Sequence, residues 1–160
     1  MTTDAIPPLN LAGPGASEYE QAVGRLESGD NSGVELLKRA ADLGYAPAQT
    51  YLGQLYLSGG NGLNASPAES RQWGRRAAQG GDPRGMHLYG MQLFEGDGGP
   101  TNQTEALTWL KRAAERGLQL NHGVAASTSK APNHRIKQQA HALGDEGALE
   151  EQCRILIFGR

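Results

Sequence analysis

Reactive side chains are few in this 160-residue chain. Four histidines (His87, His122, His134, His141) and one cysteine (Cys153) are the residues best suited to ligation or nucleophilic work. His134 and His141 stand seven apart, close enough in register to share a helix face, but a metal site wants three or four ligands and no motif joins Cys153 to them. Cys153, in "EEQCRILIF", reads as a small apolar residue on a packing face. Glu69 and Glu105 are 36 apart at the starts of two similar helical segments, where a negative charge suits the helix dipole. The Gly-rich stretches "SGGNGLN" (58–64) and "EGDGGPT" (95–101) lack the preceding strand and the Gly-Lys-Ser/Thr ending of a phosphate cradle, so they read as turns. Two Asn-x-Ser/Thr triplets, at Asn64 and Asn102, match a glycosylation pattern that is frequent by chance. The expectation is a chain without a catalytic centre, metal or cofactor.

Composition narrows the partners. A net charge of −2 argues against a nucleic-acid polyanion, and no Lys/Arg block marks a membrane surface. No apolar run approaches the roughly 18 residues of a membrane span. The first 16 residues carry no signal-peptide pattern and read as a flexible, Pro/Gly-rich leader or linker. The 23 glycines are about twice the usual ~7%.

A repeat explains most of that excess. Arg-Ala-Ala-x-x-Gly recurs at Arg39, Arg76 and Arg112, spaced 37 and then 36 residues apart, a period that points to a stacked array. Apolar and small residues recur at 3–4 spacing in each segment, which predicts amphipathic A helices over 46–58 and 82–95 and B helices over 67–79 and 103–116. Gly81 and Gly117 fall where helices end; Asp82 is a good N-cap before Pro83. Gly53 and Gly90 hold one slot of successive A helices, and Ala48 and Gly85 another. Small residues there let helix backbones approach, with Trp73, Trp109, Leu52, Tyr89, Tyr56 and Leu93 as the large residues beside them. A shorter helix pair is expected over 17–44, opened by a Ser17/Glu20 capping box.

These residues resemble the Sel1-like repeat, a longer-looped relative of the tetratricopeptide repeat. Ala48, Leu52, Gly53, Tyr56, Gly59, Trp73, Arg76, Ala77, Ala78 and Gly81 fit one unit, and Gly85, Tyr89, Gly90, Gly96, Ala106, Trp109, Arg112, Ala113, Ala114 and Gly117 the next. Ser70 (in the family's Ala position) and Leu93 (in its Tyr position) depart from the pattern. The resemblance implies an all-α solenoid of helix–turn–helix repeats in a right-handed superhelix over 17–117. A narrower resemblance, carried by "SGVELLKRAADLGYAPAQTYLGQLY" and "RAAQGGDPRGMHLYG", is to the periplasmic repeat region of PodJ-type polar localisation factors of alphaproteobacteria. That family carries a coiled coil and a membrane span ahead of such a region. The resemblance therefore implies either a piece of such a protein, periplasmic and reaching the membrane through an anchor outside this sequence, or a stand-alone cytoplasmic relative.

After Gly117 the pattern breaks. The segment 118–160 reads as an irregular connector followed by a divergent helical cap. Gly144 comes only 27 residues after Gly117, which fits a diverged capping pair, a deletion or a shifted reading frame between about 118 and 143.

The surface left for function is the concave side, lined by A helices, which solenoids use for partners. With core slots taken, Thr50, Gln54 and Leu57 and their counterparts His87, Met91 and Phe94 are the groove-facing candidates. Leu57, Met91 and Phe94 would form an apolar patch suited to a peptide or helix, unless the leader or the tail covers it. The function this supports is a non-catalytic scaffold that binds a protein partner, in polar localisation or organelle development of a bacterium. A peptidoglycan-binding module is the alternative. A β-lactamase-like hydrolase, implied by other Sel1-like proteins, lacks its repeat cysteines here.

Overall fold

The computed structural model describes residues 6–116 and 149–158. Among these there are seven helices and no strand: α1 (Ala16–Glu27), α2 (Gly33–Asp42), α3 (Ala46–Ser58), α4 (Pro67–Gln79), α5 (Pro83–Glu95), α6 (Gln103–Glu115) and α7 (149–158). Each helix packs on the next in sequence as far as α6, so the array is a solenoid of A/B pairs. A helices α3 and α5 also pack on each other, more closely than the B helices α4 and α6 do, which puts the A helices on the inner side.

Local chemistry fixes the boundaries. Ser66 Oγ accepts from the Glu69 amide and Asn102 Oδ1 from the Glu105 amide, so the B helices start at equivalent residues with Glu69 and Glu105 in the first turn. Asp82 Oδ1 caps α5 through the Arg84 amide, one residue after Gly81 at φ 93°. Helix α1 differs from the expectation: its N-cap is Gly15, not a capping box, and Ser17 lies inside the helix accepting from Gln21 Nε2. Gly15 takes φ 94° and lies too near the Ala40 carbonyl and Tyr45 for a side chain, so backbone packing sets this start.

The small slots do what the repeat requires. A Cβ on Gly85 would stand 2.5 Å from Ala77 Cβ and within 3.0 Å of α4 backbone, and one on Gly90 would stand 2.8 Å from Leu110. Between α3 and α4, Gly53 and Gly74 leave room that Leu88 of α5 fills. One core gathers Leu37, Leu52 and their neighbours from α1–α3, with Trp73 half-buried against it; the second gathers Met86, Tyr89, Trp109 and Leu110 with α7. Trp109 is buried and meets Tyr89 edge-on at 5.8 Å, its Nε1 donating to Glu105.

The leader, expected to be flexible, is held along the turn edge of the array over its described part. Tyr45 Oη donates to the Leu11 carbonyl, and the Arg116 guanidinium donates to the carbonyls of Ile6 and Pro7 at 2.8 and 2.7 Å. The frame break expected near 118–143, the irregular connector, and His122, His134 and His141 lie outside the described residues.

Candidate functional site

The six groove candidates separate by what their slot does. Gln54 is exposed and Leu57 half-buried on α3, on the A-helix side as expected. Thr50 does not line a groove. It is buried, and its hydroxyl donates to Asp82 Oδ2 at 2.5 Å, tying α3 to the start of α5. His87, in the same slot of α5, is half-buried and also faces the next unit: it lies beside the Ile157 carbonyl of α7, and its Nε2 is buried without a hydrogen-bond partner among the described residues. Burial pushes the His87 pKa below its ordinary value, against the opposite pull of that carbonyl. The slot faces the next unit in both repeats, and at Thr50 it is a hydrogen-bonded tie. Met91 and Phe94 are half-buried and packed against the second core, which includes α7. The apolar patch of Leu57, Met91 and Phe94 is therefore not one open surface: Met91 and Phe94 pack into the core that α7 completes, while Leu57 lies outside both cores among the described residues.

What remains on the A side is exposed Gln54 and half-buried Leu57, flanked by two tyrosines absent from the expectation that are half-buried against the first core. Tyr51, Gln54 and Leu57 follow one another at i, i+3 on α3. Tyr19 of α1 meets Tyr51 edge-on at 6.5 Å and Tyr45 at 5.3 Å, both Tyr19 and Tyr51 being half-buried. Burial raises the Tyr19 and Tyr45 phenols above their usual pKa, so both stay neutral hydrogen-bonding groups at physiological pH. The sequence signal was present: tyrosines on two A helices, at positions the core slots did not claim. The repeat does not mark Tyr19, because the first pair is shorter than the others and does not align slot by slot.

On the outer side, an open recess of about 520 Å³ lies between Ile6 of the leader and α6, lined by Asn102, Thr108, Trp109 and Arg112. Among the described residues no three His, Cys, Asp or Glu side chains come together to hold a metal, and no helix is long and apolar enough to cross a membrane. Cys153, the sole cysteine, is buried in α7 with its thiol 3.6 Å from the Gln103 carbonyl, and burial pushes its pKa up to about 11.

The Sel1 repeat profile matches three consecutive units, residues 10–45, 46–82 and 83–118, in register with the helix pairs just described. The chain belongs to the Sel1 repeat family. Among solved structures it is similar to a Sel1 repeat protein from Oxalobacter formigenes, with a TM-score of 0.62 and 27% identity, covering 68% of this chain and 84% of that one. Among curated relatives, Localization factor PodJL of Caulobacter vibrioides is 47% identical over 113 residues, covering 66% of this chain and 12% of PodJL. Chitin synthase regulatory factor 3 of Schizosaccharomyces pombe is 38% identical over 155 residues, covering 76% of this chain and 17% of that protein. The chain thus spans less than a fifth of the length of either relative.

Proposed function

We propose that this Sel1 array is a non-catalytic scaffold with a localisation role, binding a protein partner along the open part of its A-helix side. The observation that carries this reading is exposed Gln54 beside Leu57, Tyr19 and Tyr51, all three half-buried, with the two tyrosines anchored against the first core. Solenoids offer their extended concave side to partners, and tyrosine is enriched among residues that dominate binding energy. The likeness to a localisation factor supports the role, and the regulatory factor from yeast fits the same class of non-catalytic work. The array is proposed to lie in the periplasm if it is a piece of a PodJ-type protein and in the cytoplasm otherwise, which a pair of alkaline phosphatase and green fluorescent fusions distinguishes by their opposite requirements for export.

The test is a photo-crosslinking amino acid placed at exposed Gln54, with a control at exposed Arg75 on the outer helix α4. Crosslinking in envelope extracts that yields one protein from position 54, not from 75, and is lost when Leu57→Glu is added to a chain with unchanged circular dichroism, supports the reading. Equal products from both positions, or none from position 54, refute it.

A further inference from the structure

The last repeat raises a separate question: what belongs on the face of α5 and α6 that a following A helix would cover? In this structure α7 covers it, in the wrong direction for a repeat. Thr50 of α3 meets the N-cap of α5, Asp82, so A helices run parallel to one another. His87, at the Thr50 slot, instead meets the carbonyl of Ile157, one residue before the end of α7, and Cys153 lies at the first residue of α6, Gln103, beside the far end of α5. Helix α7 therefore runs antiparallel to α5.

It is also built differently from an A helix. Helices α3 and α5 carry Ala48, Gly53, Gly85 and Gly90, and the glycines among them sit where a Cβ would collide with the neighbouring helix. Helix α7 has no glycine in 149–158, so it lies on the surface by side chains instead of interlocking with it. Leu149, Gln152, Cys153, Leu156 and Ile157 fall at i, i+3, i+4, i+7 and i+8, and Ile155, also buried, widens this into the broad apolar face of an amphipathic helix laid in a groove. Its outer side carries the Glu150–Arg154 pair at 2.9 Å. Among the described residues no ion pair joins α7 to the repeats.

We infer that the α5/α6 face is a docking surface for an amphipathic helix of a partner protein, and that α7 is its resident occupant, displaced when such a helix binds. The partner helix would present apolar residues at i, i+3/i+4 and i+7/i+8 and run antiparallel to α5, as α7 does. This surface is distinct from the tyrosine stripe, so either reading can fail while the other stands.

Cys153 supplies the readout in the full chain. Its thiol is buried while α7 is seated and reaches a thiol reagent only when α7 lifts. A synthetic peptide of residues 149–158 with Cys153→Ser is titrated against the full-length chain at pH 8. Labelling of Cys153 and peptide fluorescence anisotropy are followed together. The expected result is saturable binding, with the labelling rate rising over the same concentration range, and neither effect from a scrambled peptide. A second chain carrying Leu156→Glu should label fast without peptide and bind the peptide more tightly. Failure of the peptide to bind the Leu156→Glu chain, once its circular dichroism shows the repeats intact, overturns the inference. Binding to the full-length chain that leaves Cys153 protected overturns it as well.

Discussion

Replacing Gly85 by Ala tests the close helix contact that defines the array. In an ordinary helix interior Ala is better than Gly by about 1 kcal/mol, and Gly24 of α1, where a Cβ meets nothing within 4 Å, offers that ordinary case. At Gly85 the new methyl would stand 2.5 Å from Ala77 Cβ, 2.9 Å from Ala77 C and 3.0 Å from the Ala78 nitrogen. Two of those three atoms are backbone and cannot rotate aside, so α4 and α5 must move apart. Overpacking of this kind costs about 1–3 kcal/mol, and contact with backbone places it in the upper half. Set against the propensity gain, Gly85→Ala should lose about 1–2 kcal/mol while Gly24→Ala gains about 0.5–1. At about 2–4 °C per kcal/mol for a chain of this size, thermal unfolding followed by circular dichroism should show Tm falling by roughly 2–8 °C in the first and rising slightly in the second. Adding Ala77→Gly removes the nearest of the three atoms, so the double variant should recover about 1 kcal/mol relative to additivity. If Gly85→Ala raises Tm as Gly24→Ala does, or shows no coupling to position 77, close backbone approach is not what the slot is for.

Three further outcomes follow from the same geometry. Ser70 Oγ donates to the Gly53 carbonyl at 2.6 Å and accepts from Gln92 Nε2 at 2.7 Å, all three residues being buried, so Ser70→Ala should cost about 1–3 kcal/mol in denaturant unfolding. Ser70→Ala with Gln92→Leu, which copies Ala106 and Leu55 from the matching slots, should recover most of that loss. Arg116→Ala removes the ties to the carbonyls of Ile6, Pro7 and Gly81, and limited proteolysis should cut within 6–11 faster while helical content is unchanged. For His87, burial holds the pKa below its ordinary value of about 6.5, so the seated state of α7 binds fewer protons than the lifted state. Seating is then at full strength above about pH 6.5 and weakens as pH falls through that value. Hydrogen exchange at 155–157, corrected for its intrinsic pH dependence, should accelerate on acidification, and His87→Gln should flatten the profile.

The helices were legible because each boundary is written in local chemistry. Ser66-Pro67, Asp82-Pro83 and Asn102-Gln103 start helices within a residue of the expected positions, since a side-chain acceptor before the first turn is a short-range requirement. The start of α1 was misread for the complementary reason. Gly15 is there because Ala40 and Tyr45 press on it from another helix, and no local pattern carries that constraint. Ser70 departs from the repeat because Gln92 of the next A helix lies against it. The two polar residues are one change, split between α4 and α5 and visible only when the helices are brought together.

The site was harder to read because a repeat alignment says which residues are equivalent, not which way the slot points. Thr50 and His87 are equivalent, and they do share a direction. Both face what lies beyond their own A helix, Thr50 bonded to the Asp82 carboxylate and His87 set beside the Ile157 carbonyl. That direction is set by how one A helix crosses the next, a relation among three helices that no single helix period contains. The slot also has a consequence at the end of the array. Where the next repeat supplies a capping carboxylate, a hydroxyl donor suffices. Where it does not, the slot holds a larger, half-buried ring set against a helix of another origin. The exchange of Thr for His between two otherwise similar repeats thus marks where the repeat stops and a different kind of helix takes its place.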